Sequence, residues 1–296
     1  MSKKSRRIQR REFLFGGLSS AAVLSLISRT DAAAWSSFAG GEMKMGLVTY
    51  QWGRDWDLET LITNCEKAGF QGVELRTEHA HGVEPTLSPA QRIEVKNRFA
   101  DSPIECVGYG SNQEYHAPDP AVVKANIEGT FDLIRLCHDI GATGVKVKPN
   151  NLPDDVPAEK TIAQIGDALN QVGKYAADYG QVIRVEVHGR KTAELPVMKA
   201  IFDHVDQQNV KVCWNCNGQD LLDPGLKYNF DLVKDRFGDT VHVRELDSTD
   251  YPYPEFFELL KGIGYSGWIL LEARTEPADR VAAMKDQLRL FEKYTS

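Results

Sequence analysis

Eight times between residue 43 and residue 296, a short run rich in Val, Ile and Leu gives way to a longer stretch whose apolar residues recur at helical spacing. Such an alternation leaves few architectures open, because parallel strands need helical crossovers to connect them and to cover the sheet. The runs predict strands over 45–50, 72–76, 104–109, 144–149, 182–190, 210–215, 241–246 and 268–273. Helices are predicted over 58–68, 89–100, 120–141, 157–179, 195–205, 228–237, 254–261 and 277–294. The punctuation agrees: Gly69, Gly141, Gly180 and Gly238 stand where helices stop, and Ser88-Pro89 offers an N-cap followed by a proline at the first helical position. No linker or shift in composition divides residues 35–296, and about 260 residues is a usual length for one α/β domain of the (β/α)8 TIM-barrel class.

Residues 1–34 read as a leader. Lys3, Lys4, Arg6, Arg7, Arg10 and Arg11 precede an apolar run over 13–27, and Ala32-Ala33-Ala34 offers a small-residue cleavage site. That run is short for a membrane span. Arg10-Arg11-Glu12-Phe13-Leu14 resembles the twin-arginine export signal, which implies passage of a folded protein to the periplasm; an ordinary secretory signal or an uncleaved anchor is the alternative. The leader holds seven of the 35 Lys and Arg and two of the 42 Asp and Glu, leaving 28 against 40, or −12, for the rest. A surface that acidic repels a phosphate backbone, so no nucleic-acid partner is expected, nor a membrane one after the leader is removed. Five cysteines form no paired framework. Cys213 and Cys216 lie three apart in and beside a strand-like run, where side chains face opposite ways, and so do not read as a redox pair.

The chemistry lies in Val182-Ile-Arg-Val-Glu-Val-His-Gly-Arg190 and the three strands after it. On a strand, Arg184, Glu186 and His188 share one face while Ile183, Val185 and Val187 cover the other. Lys146 and Lys148 alternate likewise with Val145 and Val147, and His242 shares a face with Arg244. The carboxyl ends of barrel strands converge on one mouth, so Glu186, Asn215, His242 and Glu272 are expected to meet there. Each alone reads as an ordinary polar residue at a strand end; four on successive strands can hold one divalent metal. Their mainly oxygen donors favour Mn²⁺, with Mg²⁺, Co²⁺ or Zn²⁺ as other occupants.

Val185-Glu186-Val187-His188, Val241-His242-Val243 and Leu270-Leu271-Glu272, in this order and spacing, make residues 45–294 resemble the xylose-isomerase-like barrel family of sugar isomerases and epimerases. The resemblance implies metal ligation by a Glu, an Asp, a His and a Glu from the last four strands. Asn215 stands in place of the Asp, with Asn217 and Asp220 in the next turn as further candidates, and Gly218 stands where the epimerases usually carry a His.

The implied activity is isomerisation or epimerisation through an enediolate, with Glu186 and Glu272 moving the proton. Lys148 and His188 join them as catalytic candidates, and Arg190, Arg244, Trp52 and Trp214 as substrate-binding candidates. His79 and His81 sit in a long loop that reads as lid or surface rather than as a metal pair. No glycine-rich phosphate loop follows the last two strands, which points to an unphosphorylated sugar, keto-sugar or cyclitol. A lyase or dehydratase acting on a keto-sugar or 3-keto-glycoside shares the same intermediate. A non-catalytic sugar-binding barrel is a third reading. An abasic-site endonuclease, on the same barrel, is opposed by the charge and by the few histidines. Nothing in the sequence decides the oligomeric state.

Overall fold

A computed structural model describes residues 41–296, so the leader and its twin arginines lie outside the described residues. The strands are β1 Lys44–Val48, β2 Gly72–Arg76, β3 Glu105–Glu114, β4 Gly144–Lys148, β5 Val182–Glu186, β6 Val210–Asn215, β7 Phe237–Val243 and β8 Trp268–Leu271. All pair in parallel, and β1 pairs with both β2 and β8, closing an eight-stranded barrel. The helices that follow them in turn are α1 Leu58–Ala68, α2 Pro89–Ala100, α3 Pro120–Ile140, α4 Ala158–Asp178, α5 Leu195–Phe202, α6 Leu226–Val233, α7 Tyr253–Gly262 and α8 Arg280–Thr295. Three of the caps are those the sequence announces. Gly69 and Gly141 close α1 and α3 in the left-handed region, and Ser88 with Gln91 forms a capping box at α2.

The alternation along each strand sorts its side chains. Outward residues such as Val145, Val147, Ile183, Val185, Val210, Val212, Val241 and Val243 join the large core beneath the helices. Inside the barrel, Val48, Val107, Trp268 and Leu270 make a second, smaller apolar cluster. The rest of the interior is polar. Arg184, fully buried, gives Nε and Nη2 to the Asp239 carboxylate at 2.9 and 2.7 Å, Nη2 to Thr143 Oγ1 and Nη1 to the Val107 carbonyl. Gly108 is what admits it, because a Cβ there would collide with Arg184 Nη1 and lie 2.8 Å from the Gly144 carbonyl.

Among the boundaries that differ from the sequence expectation, three have a visible cause. β3 runs on to Glu114, which pairs with Lys148 of β4 beyond a register shift over Ser111 to Gln113, where Ser111 Oγ donates to the Lys146 carbonyl at 2.6 Å. β5 stops at Glu186, and residues 189–190 instead pair in parallel with residues 150–151 in a separate two-stranded piece. Gly189 has φ +100° there, and a Cβ would run into the Asn150 backbone. Gly238 is no helix stop: β7 already begins at Phe237, and a Cβ on Gly238 would lie 3.0 Å from the Val212 carbonyl of β6. Among the described residues no helix is long and apolar enough to cross a membrane.

Candidate metal and catalytic centre

Glu186 ends β5, His242 is the penultimate residue of β7, and Glu272 follows β8 directly. All three are buried, and one donor atom from each can be chosen so that the three lie within 4.8 Å of one another. His242 Nδ1 faces Glu186 Oε1 at 3.8 Å and Glu272 Oε2 at 4.0 Å and makes no hydrogen bond. Its other nitrogen, Nε2, lies 3.2 Å from Glu74 Oε1, a fully buried carboxylate on β2. Nε2 likewise makes no hydrogen bond, so Glu74 stands behind the ring as an ion-pair neighbour, in the place a carboxylate takes behind many metal-bound histidines.

The electrostatics point the same way. Burial works against an imidazolium at His242, yet Cys213 and the Glu74 and Glu186 carboxylates outweigh it and hold its proton affinity well above the ordinary histidine value. The anions gathered here favour a proton or a metal cation alike, and a metal at Nδ1 would have to displace the proton. Asn215, at the end of β6, lies in the group and donates Nδ2 to Glu186 Oε1 at 2.8 Å. The donor set fits one divalent ion: two carboxylates, an amide able to present its oxygen by rotation, and an unpartnered imidazole nitrogen.

Two partners of the centre were not singled out from the sequence as site residues. Lys146, fully buried on β4, donates Nζ to Glu186 Oε2 at 2.5 Å. Arg76, at the end of β2, places Nη1 3.3 Å from Glu272 Oε1 and Nη2 3.4 Å from Asn112 Oδ1. The signal for both, and for Glu74, was the same alternation that marks β5: Glu74 and Arg76 alternate with Val73 and Leu75, as Lys146 and Lys148 do with Val145 and Val147. Burial raises the Glu186 carboxyl, but Lys146, His242 and His188 together bring it well below the usual carboxylate range.

Lys148 is half-buried at the rim, 3.5 Å from Glu114 Oε1, and burial followed by the charge of Lys146 lowers its proton affinity. His188 pairs Nδ1 with Asn150 Oδ1 at 2.7 Å; burial lowers it too, although Glu186 pulls the other way. Both thus surround the centre without touching the Glu186–His242–Glu272 group.

The substrate-binding candidates are placed otherwise. Trp214 is fully buried on the outer face of β6, stacked on Phe237 and Phe256 with centroids 5.6 Å away and donating Nε1 to Tyr251 Oη; it does not face the mouth. The reason is the two-residue period, since its neighbour Asn215 points inward. Trp52 is buried with Nε1 on the Thr275 carbonyl. Arg190 is exposed and engaged with Asp154, Asn151 and the Leu152 carbonyl. Arg244 is half-buried and lines, with Trp52, Glu245 and Arg274, a cleft of about 550 Å³ among the segments that follow β1, β7 and β8.

Neither alternative to Asn215 reaches the group. Asn217 donates Nδ2 to the Val187 and Asn215 carbonyls. Asp220 accepts from Asn217 N and Tyr251 Oη, and burial pushes its carboxyl up to about 8. In the β2 loop, His81 lies 2.8 Å from the Arg76 carbonyl and accepts from Val83 N, while His79 meets Thr49; the two brace the loop and form no metal pair.

Residues 62–294 match the family model described as xylose isomerase-like TIM barrel. Solved structures repeat the fold at low identity. The 3-keto-D-glucoside 4-epimerase YcjR from E. coli superposes with TM-score 0.72 at 15% identity over 85% of this chain and 100% of its own. D-psicose 3-epimerase from Clostridium cellulolyticum H10 gives 0.72 at 19%, over 86% and 99%. The IOLI protein, solved with a zinc atom bound, gives 0.71 at 16%, over 86% and 98%.

Proposed function

The chain belongs to the xylose isomerase-like TIM barrel family, and from that premise we propose that it is a divalent-metal-dependent sugar epimerase or isomerase acting on an unphosphorylated carbohydrate. The observation that carries this reading is the His242 Nδ1 atom, buried and without a hydrogen-bond partner, set between the Glu186 and Glu272 carboxylates. Glu186, His242, Glu272 and Asn215 would hold the ion. When bound, it would supply the positive charge that eases loss of a proton from the carbon beside a sugar carbonyl.

Proton removal falls to Glu272. Its Oε1 rests on Arg76 and its Oε2 faces the centre. Glu186, its expected partner base, suits anchoring better than proton transfer, because Lys146 and Asn215 engage its two oxygens and its carboxyl is too acidic to be a strong base. Lys148 takes that role in this reading. β4 and β8 stand four strands apart in the ring of eight, so Lys148 and Glu272 rise from opposite sides of the barrel. Burial brings the Lys148 ammonium closer to the range in which it can deliver a proton near neutral pH. Glu272 takes the proton from one face of the carbon and Lys148 returns one to the other face; His188, fixed by Asn150, orients a hydroxyl. The epimerases named above, with D-psicose and 3-keto-D-glucoside in their names, support a neutral sugar as substrate.

The test is incubation of the Mn²⁺-supplemented protein with ketoses and with 3-keto-glycosides in D₂O. A stereoisomer carrying deuterium at one carbon is the expected product. An unsaturated or cleaved sugar would transfer the site to the lyase reading, and binding of sugar with no carbon-bound deuterium would leave a non-catalytic barrel.

A further inference from the structure

We infer that Lys146 and Asn215 together tune this centre to hold a divalent cation weakly and exchangeably, with the Lys146 ammonium acting as the permanent counter-ion of Glu186. The inference rests on the metal site proposed above and concerns how firmly the ion is held. Glu186 has two oxygens to offer, and both are engaged. Oε2 accepts from Lys146 Nζ at 2.5 Å, and Oε1, the one facing His242, accepts from Asn215 Nδ2 at 2.8 Å. Each oxygen keeps a second lone pair, so an ion reaching Oε1 would share that atom with the amide, and one drawing on both oxygens would compete for Glu186 with Lys146.

Lys146 is confined to the barrel interior, where Glu74 is the other buried carboxylate whose charge it feels. Its side chain is fully buried, and its stem passes the bare Cα of Gly110, where a Cβ would lie 3.5 Å from Lys146 Cε. Within the barrel the Glu186 carboxylate is its hydrogen-bond partner.

The charge count completes the case. The family resemblance implies two Glu and one Asp around the ion, three negative charges. Here Asn215 removes one, Lys146 offsets that of Glu186, and Arg76, 3.3 Å from Glu272, offsets much of the third, while the Glu74 carboxylate behind His242 adds negative charge from outside the ligand set. Affinity for hard divalent cations follows the negative charge of the ligand set, so this set holds one loosely. Lys146 touches no substrate in this account; it is a positioning residue acting through Glu186.

Mn²⁺ titration of the full chain by calorimetry, with free Mn²⁺ followed by its electron paramagnetic resonance signal, reads the effect directly. Asn215→Asp restores the missing charge with little change of shape and should tighten Mn²⁺ binding about tenfold or more, on the scale of 10–100-fold by which neighbours of metal ligands tune affinity. Lys146→Gln should do the same, and the double variant should exceed either. Thermal melting gives a second readout: Mn²⁺ should raise the midpoint of both single variants more than that of the wild type. A purely structural role for Lys146 would lower affinity and stability together. If Lys146→Gln does not fold, Asn215→Asp decides alone, and Mn²⁺ affinity no tighter than wild type in that variant overturns the inference. Deuterium incorporation by the wild type is scored separately, so a failed epimerase reading with tightened Mn²⁺ binding leaves this inference standing, and the converse leaves the epimerase.

Discussion

At the scale of single residues, the centre divides labour between two glutamates that look alike in sequence. Glu186 is tied at both oxygens, whereas Glu272 keeps one oxygen on Arg76 and turns the other to the centre. Glu272→Gln is accordingly expected to lower turnover roughly 10²–10⁴-fold, the usual contribution of a positioned general base, with sugar affinity changed little. Single-turnover kinetics alongside equilibrium sugar binding will separate the two, and an unchanged rate would remove Glu272 from the mechanism.

Asp220 makes a different kind of prediction. Burial holds its proton to about 8 in the folded chain against 3.8 ordinarily, so the folded state binds the extra proton between those values. The stability it contributes is full below about 4 and is lost as pH rises through about 8. Asp220→Asn should thus melt with wild type at pH 4 and about 3 °C or more above it at pH 9, in the range that 1 kcal/mol corresponds to for a domain of this size. A difference that is the same at both pH values counts against this account.

At the scale of elements, strand alternation places the chemistry, and glycine makes room for it. β3 carries Gly108 against Arg184 and Gly110 against Glu74, where a Cβ would lie 2.8 Å from Glu74 Oε1. Without these bare positions the buried charges of β2 and β5 could not share the barrel. Gly108→Ala should cost roughly 1–3 kcal/mol through forced displacement of Arg184 and of the β4 backbone. Gly218→Ala, with nothing within 4 Å of its Cβ, should stay within about 0.5 kcal/mol of wild type. Urea unfolding of the pair measures both, and equal costs would show that the close approach in β3 does not matter. Two of the element boundaries misread from sequence lie where a glycine or a polar run serves the fit between strands: Gly238 inside β7, and the register shift over Ser111 to Gln113 in β3. Local patterns treat such residues as loop signals, because the neighbouring strand that needs them is absent from the local sequence.

At the scale of the whole molecule, the barrel and the leader make separate statements. We propose that residues 1–34 send the folded barrel out of the cytoplasm, as Arg10-Arg11 before an apolar run and the absence of a cysteine framework suggest. Replacing Arg10 and Arg11 with Lys should abolish the periplasmic fraction while leaving the protein folded in the cytoplasm; unchanged fractionation would exclude that route. The sequence by itself determined the alternation of strand and helix, and with it the barrel and the inward side of each strand, because the two-residue period is a local property of the backbone. It also held Glu186, His242 and Glu272 as a set, whereas Trp214, read as a substrate-binding residue, turns outward by the same period that turns Asn215 inward. What only the tertiary structure decided is which buried charges meet: Glu74 with His242, Lys146 with Glu186, Arg76 with Glu272. These partners lie 168, 40 and 196 positions apart. Their meeting depends on how eight strands stagger as the sheet closes, a register set by hydrogen bonds between strands that no single stretch of sequence contains.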